Sequence, residues 1–331
     1  MESVALTPSK RLEWIDWMKA LGIYLIVLGH FYSIGEKQIY IFHVPLFFVI
    51  SGILCKKEIN QGLFWKKLWY NLVVPMLIMA FVNFVYACIQ QLQDRTFELK
   101  TIYWFVRNVL FGMVSGYGVL WFILTLVVLK IISQYSSKVL FYILVIAMLA
   151  LAYVYNHFDF STYPFFLNAP NAVINVFTAY PFFALGVFLC DFKCILNEWN
   201  NKLTYGLAIV CGLFLVWTSD LFNNYVAMYR CDYGGNMLWF LMGGIAGSVI
   251  IFAVAKLLGH ALIPITIISR GTIVILGFHR LFIDLFRVFF SASYLDILLA
   301  AVIVLLFLPL ITITESYFPL LVGKYRTNKS L

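Results

Sequence analysis

The sequence predicts an all-α integral membrane protein, a bundle of about ten transmembrane helices with both termini cytoplasmic. Three observations carry that expectation. The 331 residues are 63% hydrophobic and only 11% charged, with a mean hydropathy of +0.93, a balance that soluble globular domains do not keep. The apolar residues fall into ten runs bounded by charge and turn residues, most of them near the roughly 20 residues that cross a hydrocarbon core of about 30 Å. The 23 Lys and Arg residues divide about two to one between alternate loops, as the positive-inside rule requires.

The runs cover residues 14 to 34, 38 to 55, 69 to 90, 118 to 133, 139 to 155, 171 to 190, 203 to 218, 237 to 256, 263 to 283 and 295 to 322. Segment 101 to 115, TIYWFVRNVLFGMVS, is too short and too polar for a span, and its Trp, Tyr and Arg suit an interfacial helix. Counting it as a span would invert everything after it. With the N-terminus inside, Lys10, Arg11, the patch from Lys56 to Lys67, Lys130, Lys138, Lys193, Lys202, Lys256, Lys324, Arg326 and Lys329 are cytoplasmic. Lys37, Arg95, Lys100, Arg107, Arg230, Arg280 and Arg287 fall outside or at outer helix ends, and Lys19 and Arg270 lie within spans. No soluble domain is visible, so residues 1 to 331 read as one transmembrane domain. The first run is too long for a signal peptide, lacks a small-residue cleavage site and carries Asp16 and Lys19, so it is expected to stay in the mature protein.

The net charge of +8 and the pI near 9.1 would suggest a nucleic-acid partner in a soluble protein. Here the cations sit in short loops between apolar runs, so they report topology, and no nucleic acid is expected. Cys55, Cys88, Cys190, Cys194, Cys211 and Cys231 are scattered in or beside apolar runs. Cys190 with Cys194 lacks the further ligands a zinc site needs, so neither a disulfide framework nor a metal is predicted.

The first run holds the features that ask for an explanation beyond topology. Asp16, Lys19 and His30 are the ionisable residues of an otherwise apolar helix. Eleven steps of about 100° bring Lys19 and His30 to within roughly 20° of one face, about 16 Å apart along the axis. A polar stripe on a spanning helix faces protein or water, because lipid cannot solvate it. Lys19 and Asp16 have a bland alternative, pairing with each other or snorkelling to the interface. His30 lies too deep to snorkel, so the alternatives there are a functional role or a packing histidine. The topology puts His30, His43 and His279 in the outer half and Asp16 and Lys19 toward the cytoplasm. Loops 91 to 117, 156 to 170 and 219 to 236 are the long ones, all outside, and long loops on one face of a bundle usually carry function. Their YNHFDFSTYP and SDLFNNYVAMYRCDYGGN stretches suit stacking on a sugar, or an aromatic belt at the interface.

RLEWIDWMKALGIYLIVLGH followed by FHVPLFFVISGIL resembles the opening of the membrane-bound acyltransferase 3 family, particularly members similar to fucose 4-O-acetylases and other polysaccharide O-acetyltransferases. That family's signature is a basic residue, ten residues and a histidine in the first span, matched here by Lys19 and His30. KKLWYNLVVP, LWFILTL, YPFFALGVFL and SRGTIVILGFHRLF are similar to later family blocks. The resemblance implies a bundle of about ten helices in a bacterial inner membrane. It also implies an acyl group, usually acetyl, taken from coenzyme A at the cytoplasmic face and placed on a hydroxyl of a cell-surface or lipid-linked glycan. No permanently bound cofactor is expected; acetyl-CoA is a substrate.

Acyl transfer from a thioester needs a base for the attacking hydroxyl and binding groups for an anionic donor. His30 is the candidate base, since a neutral imidazole accepts a proton near physiological pH, and His43 is the second candidate, to orient the acceptor or share that role. Lys19, Arg270, Lys66 and Lys67 are candidates for the coenzyme A phosphates; Lys for Arg at position 19 keeps the charge and gives up bidentate contact. Asp16, Trp121, His279 and Arg280 complete the set as candidate substrate contacts. Ser51 can donate a hydrogen bond or satisfy its own helix. Without a Ser-His-Asp or Cys-His pattern, direct transfer is expected ahead of a covalent acyl-enzyme, an acyl-histidine remaining open. Two other classes stay in view: a transporter or flippase for a lipid-linked glycan, and a non-catalytic component of polysaccharide export.

Overall fold

In the computed structural model, the described residues are 11–33, 35–111, 120–160, 162, 171–290 and 292–323. Both termini, with Lys10, Lys324, Arg326 and Lys329, lie outside them, as do Ile34, Gly118 and Val119 at the ends of expected runs and residues 112–117, 161 and 163–170 of the long loops. Among the described residues the secondary structure is helical, with one isolated bridge between Ala227 and Asp232.

The helices are α1 (Glu13–Gly29), α2 (Glu36–Ile53), α3 (Gln61–Leu68), α4 (Val74–Gln93), α5 (Lys100–Phe111), α6 (Leu120–Tyr135), α7 (Lys138–His157), α8 (Val176–Asp191), α9 (Lys193–Glu198), α10 (Lys202–Phe222), α11 (Met237–Leu258), α12 (Ile263–Arg270), α13 (Thr272–Phe289) and α14 (Asp296–Tyr317). Each of the ten apolar runs falls on a helix. Among the described residues, five stretches are long and apolar enough to cross a membrane: Gln61–Gln93, Lys138–His157, Lys202–Phe222, Met237–Leu258 and Ser293–Tyr317. Trp121–Tyr135 and Val176–Asp191 are apolar but shorter, and α1 and α2 have 17 and 18 residues and carry charge.

Two runs differ from the expectation of one plain span each. The third is longer, because α3 continues into α4 through a π turn, Trp69–Val73. Pro75 explains the turn: it has no N–H to return to the carbonyl of Asn71, and a local widening accommodates the lost bond. The ninth run is interrupted, as α12 ends at Arg270 and α13 starts at Thr272. Gly271 sits so close to α14 that a Cβ there would lie 2.3 Å from Ile311. The amides of Thr272 and Ile273 reach no backbone carbonyl among the described residues. Segment 101 to 115 is helical from Lys100 to Phe111, with Phe105 stacked on Phe84 of α4 at 4.2 Å and Arg107 over the Trp104 ring at 4.4 Å.

α1 is the central helix, packed on α2, α11, α12, α13 and α14. One apolar core joins it to α2, α8 and α11, and a second joins it to α13 and α14. Glycines let the helix axes close: a Cβ at Gly52 would lie 2.2 Å from the Phe183 carbonyl, and one at Gly186 would lie 2.1 Å from the Val49 carbonyl. Small residues of this kind are the usual means of tight helix packing where lipid removes the hydrophobic drive.

Candidate functional site

A cavity of about 840 Å³ opens between α1, α2, α6, α9, α12 and α13, a size that suits a cofactor-sized ligand. Asp16, Lys19 and Ile23 line it from α1, and their spacing marks one helix face. Arg11, Lys19, Lys56, Lys130, Lys193 and Arg270 also border it, while Ile23, Phe47, Phe122, Ile123 and Leu276 supply apolar wall. A ligand with anionic and less polar parts fits such a lining.

The cations are not equivalent. Arg11 grips Asp16 through both carboxylate oxygens, Nε to Oδ2 at 2.6 Å and Nη2 to Oδ1 at 3.0 Å, and that hydrogen bond raises the Arg11 pKa. Ser269 Oγ donates to the same carboxylate at 2.6 Å, so Asp16 ties α1 to the end of α12. Arg270 is paired with Glu315 at 3.2 Å. Lys19, the natural i+3 partner of Asp16, has no carboxylate at ion-pair distance among the described residues and feels Asp16 only at longer range; it borders the cavity without a direct ion pair. Lys67 pairs with Glu58 at 2.5 Å and lines a smaller adjoining cavity of about 350 Å³ with Lys57. Lys66 is exposed and borders neither. Trp121 is buried in the core, and it is its neighbour Phe122 that lines the cavity.

Three histidines stand beyond the apolar wall. His30 is seven residues past Ile23 on α1, His43 is four residues before Phe47 on α2, and His279 is three past Leu276 on α13, distances of about 10, 6 and 4.5 Å along their helices. α1 and α13 run from cavity to histidine and α2 runs the other way, so all three place imidazole on the same side of the wall. Each ring is held by its own helix: Nδ1 lies 2.7 Å from Ile26 O in His30, 2.8 Å from Ile39 O in His43, and 3.0 Å from Ile275 O in His279. A carbonyl oxygen only accepts, so Nδ1 carries the donated proton and Nε2 of the neutral ring keeps its lone pair.

The ring next to His30 is His279, edge to face with centroids 4.8 Å apart, and His279 Nε2 is buried without a partner among the described residues. Tyr40 stands between His30 and His43, at 6.2 and 4.7 Å. Tyr40 in turn packs on Tyr225 at 5.1 Å, whose hydroxyl donates to Glu36 at 2.9 Å. Burial first, and then Glu36, push the Tyr225 phenol up, so it remains a donor. Arg280 covers Tyr32 at 5.9 Å, with Nη1 3.4 Å from its hydroxyl. Lys130, Lys193, Tyr32 and Tyr40 were not singled out by residue type or spacing, whereas Tyr225 falls in the SDLFNNYVAMYRCDYGGN stretch named above for stacking on a sugar. As one of many end-of-span cations or interfacial aromatics, each of the first four carries no signal of its own.

This arrangement separates a cationic cavity from a cluster of imidazoles whose Nε2 atoms suit proton transfer. The family model for an acyltransferase domain, that of the acyltransferase 3 family, matches residues 12–315, which takes in the cavity and the histidine cluster. No curated protein and no solved structure gives a significant match. A match over that length, on a chain of apolar helices, means that the protein belongs to the acyltransferase 3 family and is a membrane acyltransferase.

Proposed function

We propose that the protein takes an acetyl group from coenzyme A at the cytoplasmic face and transfers it to a hydroxyl of a cell-surface or lipid-linked glycan at the opposite face. The observation that carries this reading is the order along three helices, cations and cavity first and histidines beyond. In it the ten runs are spans and the Lys19 end of α1 is cytoplasmic, as the Lys and Arg distribution favours. The donor phosphates bind at the cationic lining, where Lys19 attracts them without a direct ion pair to break. The pantetheine arm extends along the apolar wall toward His30, and Arg270, paired with Glu315, contributes a shared charge.

The chemistry then balances within the histidine cluster. His30 Nε2 takes the acceptor proton as the hydroxyl oxygen bonds to the thioester carbonyl carbon. The tetrahedral intermediate collapses, the C–S bond breaks, and the departing sulfur receives the proton from His30. His43 orients the acceptor side through Tyr40.

Sealed vesicles of known orientation test the reading, with acetyl-CoA on one face and the lipid-linked glycan fraction on the other. Transfer is expected when the donor is on the Lys19 side and the acceptor opposite. Transfer only when both share the donor face would sink the through-membrane route. A second measurement isolates the donor site: Lys19→Ala is expected to raise the acetyl-CoA KM about tenfold, the loss of one charge-assisted contact, with the acceptor KM unchanged. Lys19→Arg keeps the charge and stays within a few-fold of wild type; damage equal to that of alanine would show that Lys19 does not bind phosphate.

A further inference from the structure

At the end of α1 the chain turns through Tyr32, whose φ of +53° is left-handed. That conformation suits glycine, as at Gly35 with φ +72°, and is a strained choice for a bulky side chain. Tyr32 is 51% exposed, yet its ring is not turned out as a membrane-belt anchor would be. It faces His30 at 6.1 Å and Tyr40 at 6.4 Å, with the Arg280 guanidinium above it. If the turn alone mattered, glycine would serve it better.

We propose that Tyr32, flanked by Tyr40, Tyr225, Glu36 and Arg280, is the acceptor subsite and takes the face of an uncharged pyranose ring; this rests on the acyl-transfer reading above. A pyranose has an apolar C–H face and a rim of hydroxyls. The Tyr32 ring supplies a flat apolar surface beside His30, Glu36 can only accept from a hydroxyl, and Arg280 can only donate to one. The charges favour a neutral sugar. Arg280 is attracted by Asp284 one turn along α13, Glu36 adds a second carboxylate beside Tyr225, and Lys37 is already paired with Asp220 at 2.9 Å, so the subsite carries no net positive charge to favour a uronate. The subsite also explains why the strained turn keeps an aromatic residue. The turn sets the ring beside the base, on the side of His30 that Arg280 covers.

The test is binding of methyl β-D-glucopyranoside, methyl β-D-galactopyranoside and methyl β-D-glucuronide to the purified full-length protein, read by saturation-transfer NMR without donor, beside the melting temperature. At least one neutral glycoside is expected to bind in the millimolar range, and the glucuronide several-fold more weakly. Removing a stacked aromatic typically costs about tenfold or more in affinity, and that loss is expected for Tyr32→Ala and Tyr32→Gly, with Tyr32→Phe within about threefold of wild type. Tyr32→Gly is the decisive variant, because glycine relaxes the turn and the melting temperature should hold or rise while sugar binding falls. Undiminished binding by Tyr32→Gly, binding of the glucuronide as tight as that of the glucoside, or no binding of either neutral glycoside would each overturn the proposal. Because no donor is present, loss of glycoside binding with His30-dependent acetyl-CoA consumption intact removes the subsite alone. Loss of that consumption with binding intact removes the acyl-transfer reading instead.

Discussion

His30→Ala will leave the protein in the membrane at near-normal abundance and lower acyl transfer by about 10² to 10⁴, the usual cost of losing a positioned base. The two halves of that expectation have separate physical grounds. His30 is the C-cap of α1, and its backbone N–H already bonds to Ile26 O at 3.1 Å, so the helix end stays capped without the imidazole. The ring is only half-buried, which leaves a small cavity in the variant. No other group offers a free Nε2 at the same position; His279, the nearest ring, projects from another helix and meets His30 edge on. Radiolabelled transfer normalised to protein in the membrane checks the result, and activity within a few-fold of wild type would remove His30 from the chemistry. His43→Ala should also be severe, with a different signature. His43 is 2% exposed and packs against Tyr40, so its loss should lower the melting temperature as well as the rate.

Gly186→Ala is expected to cost most of the folded protein. Its new methyl would lie 2.1 Å from the Val49 carbonyl, and the reciprocal change at Gly52 would put one 2.2 Å from the Phe183 carbonyl. The obstacle is main chain in both cases, so no rotamer change relieves it, and α2 and α8 must separate. Overpacking of this kind costs about 1–3 kcal/mol and sometimes more. α2 carries both His43 and the cavity residues Phe47 and Ser51, so a surviving fraction should be inactive. Gly206→Ala on α10 is the matched control, since a Cβ there meets nothing within 4 Å, and glycine to alanine in a helix interior gains roughly 0.5–1 kcal/mol. Equal melting temperatures for Gly186→Ala and wild type would show that the two helices do not approach as closely as described.

What the sequence made legible was whatever lay within one helix. Asp16, Lys19 and His30 could be assigned to one face from their spacing, and the cavity lining from Asp16 through Lys19 to Ile23 follows that face. Which partner each residue finds was not legible, because it is decided between helices. Asp16 had Lys19 three residues on, yet Arg11 and Ser269 hold it; the planar guanidinium meets both carboxylate oxygens, which a single ammonium cannot. His279 read as a substrate contact in the outer half with no named neighbour, and only the packing of α13 on α1 brings it to His30. Lys130 and Lys193 are ordinary loop-end cations in sequence and cavity residues in three dimensions. The division of the ninth run was hidden for the same reason. The demand on Gly271 comes from Ile311, forty residues later.

That division at Gly271 sets the polarity of one cavity wall. Ser269, Arg270, Thr272 and Ile273 form part of its wall, and the Thr272 and Ile273 amides reach no carbonyl among the described residues. In a membrane protein such amides are tolerated only against protein or water, and here the side chains beside them border the cavity. The break therefore gives the cavity a polar backbone edge beside Ser269 and Arg270, opposite the apolar wall of Ile23, Phe47 and Phe122. Lys19 borders the same cavity, and an ammonium facing such a cavity escapes part of the penalty that one facing lipid would meet. An anionic ligand entering there would trade its hydration shell in steps for backbone amides and lysines.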